Sequence, residues 1–402
     1  MIDSRFIELK RQLGEELSNI LRYWAEYGVD EQFGGFVGRR NIRNERVSGA
    51  TKGVVLNARI LWTFSAAYNF TQKEEYLVLA HRAYNYLTTK FWDKTYGGLF
   101  WELNEDGSLC NGRKQISAQG FGIYGFSEYY RATGLNEALQ FAIETYHLIE
   151  KYSFDPVHGG YIEALSQKWE KLDDMRLSPK DANEPKSMNT HLHILEPYTN
   201  LLRVYRNEEL KAKTEGLVRV FLDKILDSTS NHLNLFFGYD WEVRSAIVSY
   251  GHDIEAAWLL SEAAHEIGNQ LLIDEVDRIA VKIVDVVLAD GCDRDGSIYN
   301  ELNLTKKHLD TDKHWWPQAE AMVGLAYAAF ITNDSSYFGK LDNVWNFIQQ
   351  KMLDKEHGEW FWRVDKEGIP NQEEDKTGFW KCPYHNSRAM IEVSQIIDKF
   401  QS

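Results

Sequence analysis

A glycine turn that opens into an aromatic-rich stretch recurs six times along this 402-residue chain, about every sixty residues. The six are Gly34-Gly35-Phe36, Gly97-Gly98-Leu99-Phe100, Gly159-Gly160-Tyr161, Gly238-Tyr239-Asp240-Trp241, Gly296-Ser297-Ile298-Tyr299 and Gly358-Glu359-Trp360-Phe361. A repeat of this period marks an array of supersecondary units, each of which packs mainly against its neighbours. It also explains how a chain longer than the usual domain can form one body.

Between the turns, apolar residues follow helical spacing. Val54, Val55, Ala58, Leu61, Trp62 and Ser65 share one face of a segment over 54–68. Similar patterns cover roughly 4–27, 74–90, 115–132, 135–151, 188–205, 208–226, 252–267, 269–289, 315–332, 335–351 and 385–400, which makes about twelve helices. Short polar links such as Thr71-Gln72-Lys73, Thr133-Gly134 and Gly268-Asn269 suit antiparallel neighbours. The longer connections carry the Gly and aromatic repeat, and Phe36–Arg39, Leu99–Glu102 and Trp360–Arg363 read as small strands or hairpins.

Short and long connections alternate, so the long ones gather on one face. Six helix pairs closing on themselves predict an all-α fold, an (α/α)6 barrel, as a single catalytic domain over 1–402 with the first helix paired to the last. An open superhelical solenoid is the alternative architecture. Residues 166–187 interrupt the period with a polar insertion, read as either a lid or a surface loop.

Composition narrows the function. Acidic residues outnumber basic ones, 60 to 45, which argues against nucleic acid or an anionic membrane as partner. Three cysteines without metal spacing make a disulfide framework unexpected. The segment from Met1 to Phe6 lacks an apolar signal core, and no stretch approaches eighteen apolar residues, so a soluble cytoplasmic protein is expected. Of the thirteen Trp residues, about half are expected in the core, with the remainder free to stack on sugar rings.

The helix after each long connection should be an inner one whose first turns open on a common mouth. The residues there are Asn57 and Arg59; Gln119 and Tyr124; Asn189, His191 and His193; His252 and Glu255; Trp315, Trp316 and Glu320; and His385, Asn386 and Arg388. His252 and Glu255, three apart, share a helix face and read as a general base with its carboxylate, or as a structural His with a surface salt partner. His385 reads as a group facing His252 across the ring, or as a capping or core His. Asn189 and His193 share a face, which favours His193 over His191 as the pocket residue.

A metal held by His193, His252 and His385 lacks any local ligand spacing, and none is expected. Arg59 offers several donors to a carbonyl or enediolate oxygen, the alternative being a buried ion pair that braces inner helices. Tyr124 is read as a further substrate contact, and Glu301 as a ligand for a sugar hydroxyl or a helix cap. No phosphate-binding loop and no G-x-S-x-G elbow is present.

Lys186–Glu196 (Lys-Ser-Met-Asn-Thr-His-Leu-His-Ile-Leu-Glu) and Tyr250–Glu255 (Tyr-Gly-His-Asp-Ile-Glu) resemble the N-acylglucosamine 2-epimerase superfamily. The closing Gly378–Ala389 (Gly-Phe-Trp-Lys-Cys-Pro-Tyr-His-Asn-Ser-Arg-Ala) is most similar to the cellobiose 2-epimerase group within it. The resemblance runs from Gly34 to the last helix. It implies an (α/α)6 barrel and reversible epimerisation at carbon 2 of the reducing-end glucose of β-1,4-linked disaccharides such as cellobiose or lactose. The implied route is a cis-enediolate, without metal, nucleotide or other cofactor.

On the matching positions the resemblance makes His252 and His385 the acid/base pair. It places Arg59 and His193 beside the reacting oxygens, with Asn189 near them and Glu255 supporting His252. Trp315 and Trp380 become sugar platforms, and Glu301 a hydroxyl ligand. The implied partner is a small sugar, on a monomer or weak homodimer.

Within the superfamily the alternative is an N-acylglucosamine 2-epimerase or a mannose or other aldose–ketose isomerase. A glycoside hydrolase on the same barrel would instead draw on opposed carboxylates from Glu255, Glu301 and Glu320. A non-enzymatic glycan-binding toroid would need Trp platforms but no opposed His pair.

Overall fold

Helices that follow the long connections are buried on every side, whereas those after the short links bury one stripe. In a computed structural model that describes residues 4–401, α2 (Val54–Thr71) has every residue from Val54 to Ala67 buried. Its partner α3 (Glu74–Tyr86) buries only Tyr76, Ala80, Ala83, Tyr84 and Tyr86, at helical spacing. A helix apolar all round must be enclosed, and an amphipathic one must lie outside it.

The same contrast recurs along the chain. The inner ring is α2, α4 (Ile116–Thr133), α6 (Met188–Val204), α8 (Tyr250–Ile267), α10 (Trp315–Thr332) and α12 (Tyr384–Gln401). The outer ring is α1 (Ser4–Tyr23), α3, α5 (Asn136–Tyr152), α7 (Glu208–Val220), α9 (Gln270–Asp290) and α11 (Ser336–Phe347). Each inner helix packs on the next, α12 packs on α2, and α1 packs on α12. The ring is closed, and the open solenoid does not form. Met1–Asp3, part of the N-terminal segment read above, lie outside the described residues.

Tight links end four inner helices in a left-handed residue: Gln72, Gly134, Gly268 and Asn333. The long connections collect at the opposite end. Their Gly turns are held by an Asp carboxylate that accepts backbone N–H groups, as Asp30 does from Gln32 and Phe33 and Asp354 from Glu356 and His357. A buried lysine closes five of the six turns: Lys52 on Asp30, Lys114 on Asp93, Lys186 on Asp155, Lys313 on Asp293 and Lys376 on Asp354. In the fourth unit Val248 stands two residues before the inner helix, where four of the other units have that lysine.

The three strands expected in the long connections are shorter or displaced. Glu102–Leu103 and Arg363–Val364 belong to small antiparallel sheets, but Phe36 makes only a single bridge, to Val29. No described helix is long and apolar enough to cross a membrane.

Candidate active site

The equivalence of the six units sets the site. In four inner helices the fourth residue anchors the turn just before the helix. Gln119 accepts from the Leu99 N–H and donates to its carbonyl, and Gln318 does the same with Ile298. His191 Nε2 accepts from the Tyr161 N–H while Nδ1 donates to the Ser187 carbonyl. Asp253 accepts from the Leu233 N–H. Gln119 and His191 are therefore structural, as the spacing indicated for His191. Gly160 has positive φ and packs so tightly that a Cβ would lie 2.7 Å from His191 Nε2.

Two turns into five of these helices, the sixth residue faces the axis: Arg59, Phe121, His193, Glu255 and Glu320. Gly120 lets α4 approach α6 at this level, since a Cβ there would meet the His193 carbonyl oxygen at 2.0 Å. With the first residues of α8, α10 and α12, this layer walls a cavity of about 440 Å³. Arg59, Asn189, His193, His252, Glu255, Trp315, Trp316, Trp380 and His385 line it, and Leu177–Asp181 of the polar insertion closes one side.

Three histidines converge there. His193 Nδ1 meets Glu196 at 2.7 Å, His385 Nδ1 meets Glu320 at 2.6 Å, and His252 Nδ1 meets Ser249 Oγ at 2.7 Å. A neutral ring that donates Nδ1–H to a carboxylate keeps its Nε2 lone pair available as a base. Trp316 lies between two of them, its ring centroid 4.6 Å from that of His252 and 5.7 Å from that of His385. Burial lowers His252 and His385 to about 3 and lowers His193 as well, so all three are neutral at neutral pH.

Arg59 is only 5% exposed. Its guanidinium lies over Phe121 at 4.2 Å and Tyr384 at 4.7 Å; among the described residues its one hydrogen-bond partner is Cys382 Sγ at 3.9 Å, and Nε has none. No carboxylate pairs with it among the described residues. The alternative reading of Arg59 as a bracing ion pair is not met.

The carboxylates are taken by another cation. Arg388 donates to Glu196 at 2.6 Å, Glu255 at 2.9 Å and Glu320 at 2.7 Å, all fully buried, and Tyr384 bonds the same Glu196. Burial opposes ionisation of Glu196 and Glu320, but Arg388 and the attached His hold both below the usual carboxylate range. Glu255 goes the other way: burial, then the neighbouring Glu320 carboxylate, push it well up. Glu255, Glu320 and His385 are also the one three-ligand cluster of metal spacing among the described residues, with the two carboxylates already bonded to Arg388.

Several expectations need correction. Glu255 does not support His252; it bonds Arg388 and stands 3.8 Å from His385 Nδ1, because the sixth position points to the axis while His252 lies at the rim. Tyr124 is not in this cavity. Five residues beyond Gln119 on the same helix, it stacks on Trp62 and lines a separate cavity at the far end of the barrel. Trp315 is 3% exposed and offers an indole N–H without a partner rather than an open face.

Glu301 lies in an adjoining cavity of about 480 Å³ that also includes Lys180, Asp310, His314 and Arg363. Trp380 lines the main cavity, its indole 5.8 Å from Trp101. Sequence reasoning missed the roles of Ser249, Trp316 and Glu196. His193 and Glu196 repeat the three-residue spacing of His252 and Glu255, a signal that was present.

The profile of the N-acylglucosamine 2-epimerase (GlcNAc 2-epimerase) family matches residues 35–389. A cellobiose 2-epimerase of Bacteroides fragilis is 48% identical over 386 residues, covering 96% of this chain and 98% of that protein. A cellobiose 2-epimerase of Dictyoglomus turgidum is 38% identical over 387 residues, covering 96% and 98%. The solved cellobiose 2-epimerase of Bacillus thermoamylovorans superposes with a TM-score of 0.92 at 36% identity, over 98% of this chain and 100% of that one. With a matching profile, these relatives and a closed ring of six helix pairs, the chain belongs to the N-acylglucosamine 2-epimerase family.

Proposed function

We propose that this protein epimerises carbon 2 of the reducing-end glucose of β-1,4-linked disaccharides such as cellobiose, by proton transfer through a cis-enediolate. The observation that carries this reading is Arg59, a buried guanidinium with no carboxylate partner, set among three neutral imidazoles. A buried cation left uncompensated in the resting protein awaits an anion that forms during turnover. The N-terminal turns of all six inner helices surround the same mouth, and their dipoles favour negative charge there.

Ring opening exposes an aldehyde, which acidifies the hydrogen on carbon 2. Of His252 and His385, one removes that proton at Nε2 and becomes imidazolium; the other takes up a solvent proton at Nε2 and passes it to the opposite face of carbon 2, after which the first releases its proton to solvent. His385 is oriented by Glu320, and His252 by Ser249. Arg59 stabilises charge developing on the enediolate oxygens. His193, oriented by Glu196, serves the oxygen on carbon 1 or carbon 2, with Asn189 beside it. The Trp315 N–H binds a hydroxyl, and Trp380 supports a sugar face. Glu301, in the adjoining cavity, binds a hydroxyl of the second ring.

The hydrolase reading fares worse. Of Glu255, Glu301 and Glu320, Glu255 and Glu320 are bonded to Arg388 and only Glu301 is not, so no opposed pair of these carboxyl groups is free to flank a glycosidic bond.

Proton NMR of cellobiose incubated with the protein in heavy water, with chelator present, tests the proposal. A mannose-type reducing end carrying deuterium at carbon 2 is expected. Unchanged cellobiose with turnover of N-acetylglucosamine or free mannose would move the substrate, and release of glucose would overturn the mechanism.

A further inference from the structure

A second cavity, of about 630 Å³, opens at the end of the barrel where the short links lie. A floor separates it from the first. In that floor Tyr384 packs edge-on against Trp62 and Tyr124, with ring centroids 5.3 and 6.0 Å away, and Arg388 lies over Trp258 at 4.7 Å. The proposed epimerisation uses nothing below this floor.

Three features of the basal cavity point to a ligand. It is lined from the C-terminal turns of all six inner helices, with Phe70, Arg131, Arg203, Glu266, Phe330 and Lys399 contributed one from each. The negative ends of six helix dipoles therefore converge on it, the reverse of the catalytic mouth, and favour a cation.

The second feature is Tyr124. Only 4% exposed and stacked on Trp62 at 5.1 Å, it lines the cavity, and its hydroxyl has no hydrogen-bond partner among the described residues. The ring is buried while the hydroxyl opens on the cavity, where it offers a ligand one donor and one acceptor.

The third is the balance of charge. Glu128 is bonded to Arg131 and Asn200, and Glu262 and Glu266 share Arg203. Glu392 lines the same space and forms no ion pair with a described residue. Burial, and then the nearby Glu262, push its carboxyl up, against a weaker pull from Arg203, Arg388 and Lys399. These carboxylates are not spaced as metal ligands, since the one such cluster among the described residues is in the upper site. Trp62, Phe70, Tyr124, Tyr327 and Phe330 give an otherwise polar cavity an aromatic side, and the volume is that of an organic ligand.

We propose that the basal cavity binds a small organic ammonium ion, whose N–H groups meet Glu392 and Tyr124 and whose carbon chain lies against Trp62, Tyr327 and Phe330. The site is independent of the catalytic one, so the failure of either assignment leaves the other standing.

Isothermal titration of the full chain with n-butylammonium chloride tests this, with n-butanol and potassium chloride as controls. One saturable site per chain is expected, at least about tenfold tighter for the ammonium than for the alcohol, because only the ion forms a charge-assisted hydrogen bond. Glu392→Gln should weaken it about tenfold or more while cellobiose turnover stays unchanged, which also reports that the barrel is intact. Should that variant fail to fold, Tyr124→Phe, checked by its melting curve, should weaken binding severalfold. Absence of saturable heat, equal binding of n-butanol, indifference to both substitutions, or displacement by cellobiose would each overturn the proposal.

Discussion

His385 Nδ1 meets Glu320 at 2.6 Å, although the two lie on different inner helices and 65 residues apart. The same carboxylate oxygen accepts from Arg388, which also bonds Glu196, the partner of His193. One buried guanidinium thereby fixes the orientation of two imidazoles on opposite sides of the ring.

Replacing either member of the proposed acid/base pair should stop epimerisation. We expect His252→Asn and His385→Asn each to lower kcat by at least about a thousandfold, within the range for loss of a positioned acid or base. Circular dichroism should be unchanged, because neither ring holds a turn in place as His191 does. Retained epimerisation in either variant would remove that residue from the mechanism.

Arg59→Met should lower kcat by about a hundred- to a thousandfold with a small change in KM, since its charge is met only when the enediolate forms. Its stability to urea should hold or rise, because a buried cation without a carboxylate partner is removed. A large loss of stability would instead mark Arg59 as a brace.

The acid limb of kcat/KM should lie unusually low. Burial holds His252 and His385 near 3, so the bases of the free enzyme stay neutral well below the ordinary His range near 6.5. Initial rates should be nearly flat from pH 7 to about 5. The same depression opposes stability in acid: the contribution is complete above 6.5 and is lost as pH falls towards 3.

Arg388→Met should be the most damaging single change at the site. It strands Glu196, Glu255 and Glu320 in a dry interior, at a cost of about 3–5 kcal/mol or more. The stranded carboxyls would rise in pKa, so the variant should lose further stability as pH increases. Urea melts at pH 5 and pH 8 check this.

Glu16 supplies an opposite slope in the unmodified protein. Burial raises its carboxyl from 4.5 to about 7, while Trp360 Nε1 donates to it at 2.8 Å. Its contribution is complete below pH 4.5 and is lost as pH rises through 7, a change on the order of 3 kcal/mol. Glu16→Gln keeps the hydrogen bond and should flatten stability between those pH values, as denaturant titrations would record.

The barrel itself was readable before any coordinates. Five of the six Gly turns recur as read, whereas the fourth unit turns between Asp227 and His232, with Asn231 in the left-handed region, rather than at Gly238. The apolar residues between the turns keep helical spacing, and the alternation of short and long links leaves closed pairs as the natural packing. The mouth residues followed from the same reasoning, because the first turns of Val54, Ile116, Met188, Tyr250, Trp315 and Tyr384 all begin at one end. What spacing could not reach was partnership across the ring. His252 and Glu255 are neighbours on a helix, yet Glu255 serves Arg388 while Ser249 holds His252.

Sequence by itself determined the units, their number and the helix faces, since each depends on residues within a few turns of one another. Only the closed ring decided that Arg388 takes the three carboxylates, that Arg59 is left without one, and that Tyr124 faces the basal cavity. Those outcomes depend on distances between helices far apart in the chain, which local periodicity does not encode.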